Sequence, residues 1–267
     1  MPLLRNLLPN QFPVKTPITK TPAELFDLLT GIYDREMKLH PEIDYLRVQS
    51  SPASIFNHVL TLAWYLPLLP QTGKVLDWGC NHAPDSCMVR ALFGNSLGIY
   101  GCDFREAGLY TEFDKASQLE YRKIPDYFRI PFENDIFDVI IASGSLEHAV
   151  FDYKSLEELH RVMKPEGTLI ISYLPNRFSY HEWIQEHVFH RDFHLRLYGL
   201  SQTKKLLKHN GFFPIEAGSH IFFWEKTLAK LGIKGNHRGL KRFLSILFPI
   251  HLVCGCYKLI AIKKSSM

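Results

Sequence analysis

Several things are scarce in this chain of 267 residues, and each shortage removes a class of function. Charge of one sign is the first: the net charge is only +4, and no cluster of Lys and Arg or basic-aromatic stripe offers a nucleic-acid surface. Cysteine is the second, with five in all and no disulfide pattern. Cys254-Gly255-Cys256 lacks the two-residue spacer of a metal pair, and no second pair completes a site. These points favour a reducing, cytoplasmic compartment. Long apolar runs are also missing. Phe243 to Cys256 is interrupted by Pro249 and His251, which spoils it as a membrane span. The start, Met1-Pro2-Leu3-Leu4-Arg5, lacks the charged lead and apolar core of a signal peptide. A G-x-G-x-x-G run is absent too, which speaks against a nicotinamide dinucleotide fold.

What remains is an ordinary globular composition, 46% apolar and 22% charged, long enough for one large α/β domain. Its organising stretch is Lys74-Val75-Leu76-Asp77-Trp78-Gly79-Cys80-Asn81-His82-Ala83-Pro84-Asp85-Ser86. An apolar run ends in an acid, then a Gly-containing bend, then a helix opened by Pro84. In a parallel sheet, ligands bind beyond the carboxyl ends of strands, where such bends sit. Gly79 lets a ligand approach the backbone, and the helix start offers unpaired N–H groups. Asp77 adds an acceptor for a cationic amine, so the site wants an ammonium rather than a pyrophosphate.

Further along, Leu97 to Asp103 reads as a second strand ending in an acid. Asp126-Tyr127-Phe128-Arg129-Ile130-Pro131-Phe132 leads to a turn and a nearly all-apolar strand, Ile136 to Ser143, as a central parallel strand should be. Gly144-Ser145-Leu146-Glu147-His148 follows, then a helix around Leu156 to Met163. The turn Lys164-Pro165-Glu166-Gly167 and the strand Thr168 to Tyr173 come next. Taken together, these runs resemble class I S-adenosylmethionine-dependent methyltransferases, in the group that includes ubiquinone-biosynthesis enzymes. Val75, Leu76, Asp77, Gly79 and Cys80 match the first motif, V-L-D-x-G-C-G-x-G. Asn81 and Ala83 stand where that family has glycines. Asn enters left-handed backbone space at modest cost, whereas Ala83 adds a methyl group at the closest approach to the cofactor.

The resemblance implies a Rossmann-like doubly wound α/β sheet of seven strands, mostly parallel with the last antiparallel. It implies S-adenosyl-L-methionine as cofactor, with contacts from Asp77, Gly79, Cys80, Asn81, Asp103, Phe104, Asp126, Tyr127 and Ser143. In that scheme Asp77 takes the amino-acid tail, Asp103 both ribose hydroxyls, and Asp126 the adenine amino group. Tyr127 presents a backbone N–H to the ring, and Phe104 lies against the adenine face. Standing alone, Asp103 would compete strongly as a simple strand-end turn residue, and its distance from Asp77 tips the balance to the ribose. His82, inside the loop, either meets the methionine carboxylate or points to solvent.

Residues 1–70 are expected to form an N-terminal helical cover of the domain, with helices starting at Thr21-Pro22 and Ser51-Pro52. These either cover the sheet or close over the cofactor. Residues 71–267 hold the cofactor domain, with substrate elements around 176–200 and a C-terminal extension over 221–256. That extension mixes aromatics with lysines, as an interfacial helix does and as an ordinary surface helix also does. Lys263-Lys264 adds a weak attraction to anionic lipid, so a location peripheral to a membrane stays open. His181, His187, His190 and His194 form an imidazole-rich stretch. It is read as a packing or surface face with no metal, because no carboxylate pattern accompanies it.

Methyl transfer from a sulfonium is a direct displacement that mainly needs alignment and exclusion of water. The catalytic candidates are His148, Glu147 and His181, for an acceptor that must lose a proton. Glu147-His148 has a competing role in ordering its loop. The expected activity is methyl transfer to an oxygen or carbon of a small or lipid-like acceptor. The alternative is a degenerate, non-catalytic member acting as a binding or membrane-surface protein.

Overall fold

The computed structural model describes residues 19–179, 194–220 and 255–264. Seven strands form one sheet in the order β3-β2-β1-β4-β5-β7-β6. They are β1 Gly73–Trp78, β2 Leu97–Asp103, β3 Glu120–Lys123, β4 Phe137–Ser143, β5 Met163–Pro175, β6 Phe212–His220 and β7 Cys256–Lys263. The β1–β2 and β2–β3 pairs are parallel, while β7 runs antiparallel to both β5 and β6. This is the Rossmann-like methyltransferase arrangement that the sequence implied. By compactness the chain divides into residues 1–124 with 137–139, and residues 125–136 with 140–267.

In the first unit, α1 Pro22–Leu39 begins with Thr21 as its cap. The Thr21 hydroxyl accepts from the Glu24 N–H, and the Glu24 carboxylate accepts from the Thr21 N–H at 2.6 Å. A short α2, Asp44–Gln49, precedes α3, Pro52–Tyr65, capped by Ser51. The sequence reading passed over α2, which is too short to show an apolar period. Leu25, Leu29, Ile32, Ile55, Val59 and Leu62 are fully buried, as the helical spacing of those apolar positions requires. Glu36 of α1 is also fully buried. Its carboxylate accepts from the Glu112 N–H at 2.7 Å, capping α5 (Thr111–Ser117) from a distance of 76 residues in sequence.

α4, Pro84–Phe93, follows the loop after β1 over the span that the sequence predicted. The β1–β2 register sets Asp77 opposite Gly101 and Trp78 opposite Cys102, so β2 reaches one residue further and ends on Asp103. Gly101 is small for a reason: a Cβ there would lie 3.0 Å from Cys80 Sγ and 2.9 Å from Leu119 Cδ1. The edge strand β3 carries mostly polar, exposed residues, and the sequence reading missed it for that reason.

In the second unit, α6 (Asp152–Val162) passes directly into β5. The Lys164–Gly167 stretch read as a turn lies within β5, with Glu166 alone at a left-handed φ of 62°. A bulge near Tyr173 (φ 58°) kinks the same strand before Asn176. Asn176 is fully buried, and its amide oxygen accepts from the Phe178 N–H at 3.0 Å and the Tyr257 hydroxyl at 2.8 Å. It pins β5 to β7. α7 Leu200–His209 ends at Asn210, and Gly211 (φ 81°) opens β6 against the ring of His160.

Lys263 is not the surface charge that the sequence suggested. Its ammonium is buried and donates to Asp135 Oδ1 at 2.6 Å, His160 O at 2.9 Å and Met163 O at 2.7 Å. All three donors are used, two of them on carbonyls at the end of α6. Lys263→Ala is therefore expected to lower stability by roughly 2–3 kcal/mol. Urea unfolding of the two proteins measures this, and equal midpoints would contradict it.

Candidate functional site

The loop from Gly79 to Ala83 is bent by three left-handed residues in alternation: Gly79 (φ 68°), Asn81 (φ 44°) and Ala83 (φ 57°). Asn81 takes the conformation expected of it. Ala83 takes one that an alanine reaches only at a cost on the order of 1 kcal/mol, with its methyl group fully buried. The loop is held from both sides. Gly79 N–H donates to Cys102 O at 2.8 Å, and the Asn81 N–H donates to Asp103 Oδ2 at 2.7 Å. The Asn81 carbonyl in turn accepts from Nε of Arg105. That guanidinium is fixed by Asp114 at 2.7 Å and by the face of Tyr121, 4.2 Å from the ring centre. Arg105 escaped the sequence reading. Only its place two residues after the strand-end acid hinted at it.

Asp103 accepts the Phe104 N–H on its other oxygen at 2.6 Å. Each oxygen thus serves one amide, and a carboxylate has about four acceptor positions, so room for two hydroxyls remains. Phe104 is half exposed beside it. Asp77 is buried and accepts from the Ser86 hydroxyl of α4 at 2.7 Å. Burial, and then the charge of Asp85, push its carboxyl up to about 7. Asp85 is held by the Tyr65 hydroxyl at 3.1 Å. A buried acid that resists ionising is a place where a cation binds with advantage. Cys80 is buried too, and burial drives its thiol well above the usual range, so it packs rather than reacts.

His82 does not point to solvent. It is 2% exposed, with Nε2 at 2.6 Å from the Tyr33 hydroxyl and Phe113 edge-on to its ring at 4.8 Å. Burial holds it well below the usual histidine value, so it stays neutral. It ties the loop after β1 to α1, a link that a separation of 49 residues in sequence concealed.

In the second unit, Asp126 is exposed and its Oδ1 accepts from the N–H groups of Phe128 at 3.1 Å and Arg129 at 2.8 Å. Those amides hold its carboxyl below the usual range. Tyr127 beside it is 63% exposed. The turn is anchored by Glu158 and Arg161. Glu158 accepts the Ile130 N–H at 3.0 Å, while Arg161 donates to the carbonyls of Ile130 and Phe132 at 2.9 Å each. Ser143 ends β4 with its hydroxyl 2.8 Å from that of Ser172. Glu147 is buried and His148 exposed on a 3-10 turn, Leu146–His148. Tyr180, His181, His187 and His190 lie outside the described residues, as does the stretch 221–254.

A strand-end acid, a left-handed loop and a helix start, followed by a second strand-end acid, coincide with a family match. The methyltransferase domain family covers residues 71–219. This chain belongs to that family. Its fold and sequence are those of the class I methyltransferase family. Among curated methyltransferases it is similar to the demethylmenaquinone methyltransferase of Staphylococcus epidermidis, 28% identical over 99 residues, 36% of this chain and 41% of that one. It is 26% identical over 144 residues to a sterol 24-C-methyltransferase of Saccharomyces cerevisiae, 52% of this chain and 35% of that one. The chain thus spans less than half the length of either. Its fold matches phosphoethanolamine N-methyltransferase 2 of Haemonchus contortus, solved with S-adenosyl-L-methionine. There the TM-score is 0.55 at 20% identity, covering 84% of this chain and 60% of that one. Among the described residues no helix is long and apolar enough to cross a membrane.

Asp77 gives this methyltransferase domain a pH signature. Its native carboxyl, at about 7, keeps a proton that the unfolded chain releases near pH 4, so stability falls as pH rises between those values. Asp77→Asn removes that loss. The variant is expected to be more stable than the parent at about pH 8, by on the order of 2 kcal/mol, with little difference near pH 4. Thermal unfolding at the two pH values checks this, and a parent that is the more stable at the higher pH would refute it.

Proposed function

We propose that this chain transfers a methyl group from S-adenosyl-L-methionine to an oxygen or carbon of a small or lipid-like acceptor. The observation that carries the reading is the bracketed loop after β1, with Asp103 at its rim and a reluctant acid, Asp77, beneath it. The donor set fits the cofactor. A buried carboxyl near 7 gains most from an ammonium, and an acid with spare acceptor positions suits a pair of hydroxyls. Bound there, the cofactor supplies a methyl group on a sulfonium, ready for displacement.

The chain's own residues then bind, orient and exclude water. Asp77 ionises to meet the amine of the amino-acid tail, and Asp103 takes the ribose hydroxyls while keeping its two amides. Phe104 offers a ring to the base, and Asp126 with the Tyr127 N–H reads the adenine edge. Gly79, Cys80, Asn81 and Ser143 contribute backbone and small groups. Where the acceptor must lose a proton, Glu147, His148 and His181 are the groups proposed to assist. The acceptor class follows the relatives, whose names concern a demethylmenaquinone and a sterol. A cytoplasmic protein with weak peripheral contact to a membrane agrees with such an acceptor.

Isothermal titration with S-adenosyl-L-methionine should give one site per chain, competed by S-adenosylhomocysteine. No heat and no competition would end the proposal. Asp103→Asn should weaken binding by about tenfold, since one charge-assisted pair becomes neutral. At about pH 6, below the Asp77 value, binding should release a proton, so the heat should vary with the ionisation enthalpy of the buffer. Identical heats in all buffers would remove Asp77 from the cofactor's tail.

A further inference from the structure

The imidazole-rich stretch and the loop after β4 meet in a way that their sequence separation hides. Glu147, His148 and His194 present one carboxylate oxygen and two ring nitrogens that all lie within 4.8 Å of one another. The two imidazole rings are 5.5 Å apart between centres and inclined by 36°. The carboxylate that the histidine stretch lacked in its own neighbourhood comes from the far side of α6 in the chain.

The arrangement is built rather than incidental. Glu147 and His148 are held by the 3-10 turn, where the His148 N–H donates to Ser145 O at 3.2 Å. The segment that carries His194 is strapped against that turn. Arg196 donates to the carbonyls of Ala149 and Val150, the latter at 2.7 Å, and its Nε is 3.7 Å from the Asp152 carboxylate. The Tyr198 hydroxyl donates to Leu146 O at 3.3 Å and to Asp152 at 3.2 Å. Tyr198 is also bridged to Asn176, and its N–H donates to Pro175 O at 2.9 Å. His194 is thus delivered by a strap fastened on both sides of the turn.

We propose that Glu147, His148 and His194 hold a divalent transition-metal ion. Two imidazoles and one carboxylate suit zinc, cobalt, manganese or iron(II) better than magnesium or calcium, which prefer all-oxygen cages. Metal–ligand bonds of about 2.0–2.2 Å need donors roughly 3 to 3.5 Å apart. The three donors reach that spacing by drawing together by about an ångström. Three protein ligands leave further positions open, as in metal sites that admit water or a substrate oxygen. Glu147, buried in the turn, is the anionic anchor that a dication neutralises at close range. With the ion in place Glu147 and His148 serve as its ligands, and an acceptor oxygen at an open position would lose its proton to solvent more readily. The site itself stands whether or not the chain transfers methyl groups.

The test uses untagged full-length protein freed of metal with a chelator and titrated with Co2+ and Zn2+. One equivalent of Co2+ per chain with a visible d–d absorption band is expected, displaced by Zn2+. His148→Ala and His194→Ala should each weaken binding by roughly tenfold or more, with the fold verified by circular dichroism. Should His194→Ala unfold, the exposed His148→Ala carries the comparison. Absence of stoichiometric binding identifies the cluster as a plain ion pair and overturns the proposal, as does binding equally tight in the parent and the folded variants. Titration of the metal-free protein with S-adenosyl-L-methionine separates the two readings, because the cofactor contacts do not include His194.

Discussion

The peptide of Asn81 is gripped at both ends, its N–H by the Asp103 carboxylate and its carbonyl by the Arg105 guanidinium. Opposite charges thus close on one residue of a loop whose backbone is left-handed at three places. Without that grip, the cost of holding Asn81 and Ala83 at positive φ would favour a different loop. The grip also decides where Asp103 points. The carboxylate that orders the loop is thus the same one proposed to take the ribose, and the loop is in shape before anything binds.

Beneath the loop lie two buried ionisable groups with opposite habits. Asp77 holds its proton up to about 7, and His82 refuses one well below its usual range. Both effects come first from loss of water, which penalises whichever form is charged. As pH rises from about 4 to 7, the acid's preference destabilises the native state while the histidine's stabilises it. The tension is confined to a few residues around the β1–α4 junction.

Much of this was readable in advance, and the pattern of success is physical. Strands β1 and β4 are buried on both faces over most of their length and β2 is nowhere exposed, so they stand out as apolar runs, and α1 and α3 begin with Thr-Pro and Ser-Pro, which mark a helix start directly. Asp77 and Asp103 lie at the ends of β1 and β2, and Gly79 in the bend after β1, where they were placed, because strand ends are marked by the residues that end them; their contacts with a cofactor belong to the proposal. The misses are of another kind. β3 is exposed and polar, and α2 is one turn and a half. Glu36, Arg105, Tyr33 and Lys263 act on partners far along the chain, where no local spacing can announce them. Lys263 was misjudged because a lysine near a terminus is usually solvated, whereas here β7 carries it under the end of α6.

Three cations in the second unit share a habit: Arg161, Arg196 and Lys263 each grasp carbonyl oxygens of the main chain. A main-chain oxygen is supplied by every amino acid alike. The residues being grasped are therefore free to drift in identity while the architecture persists, and only the grasping side chains are constrained.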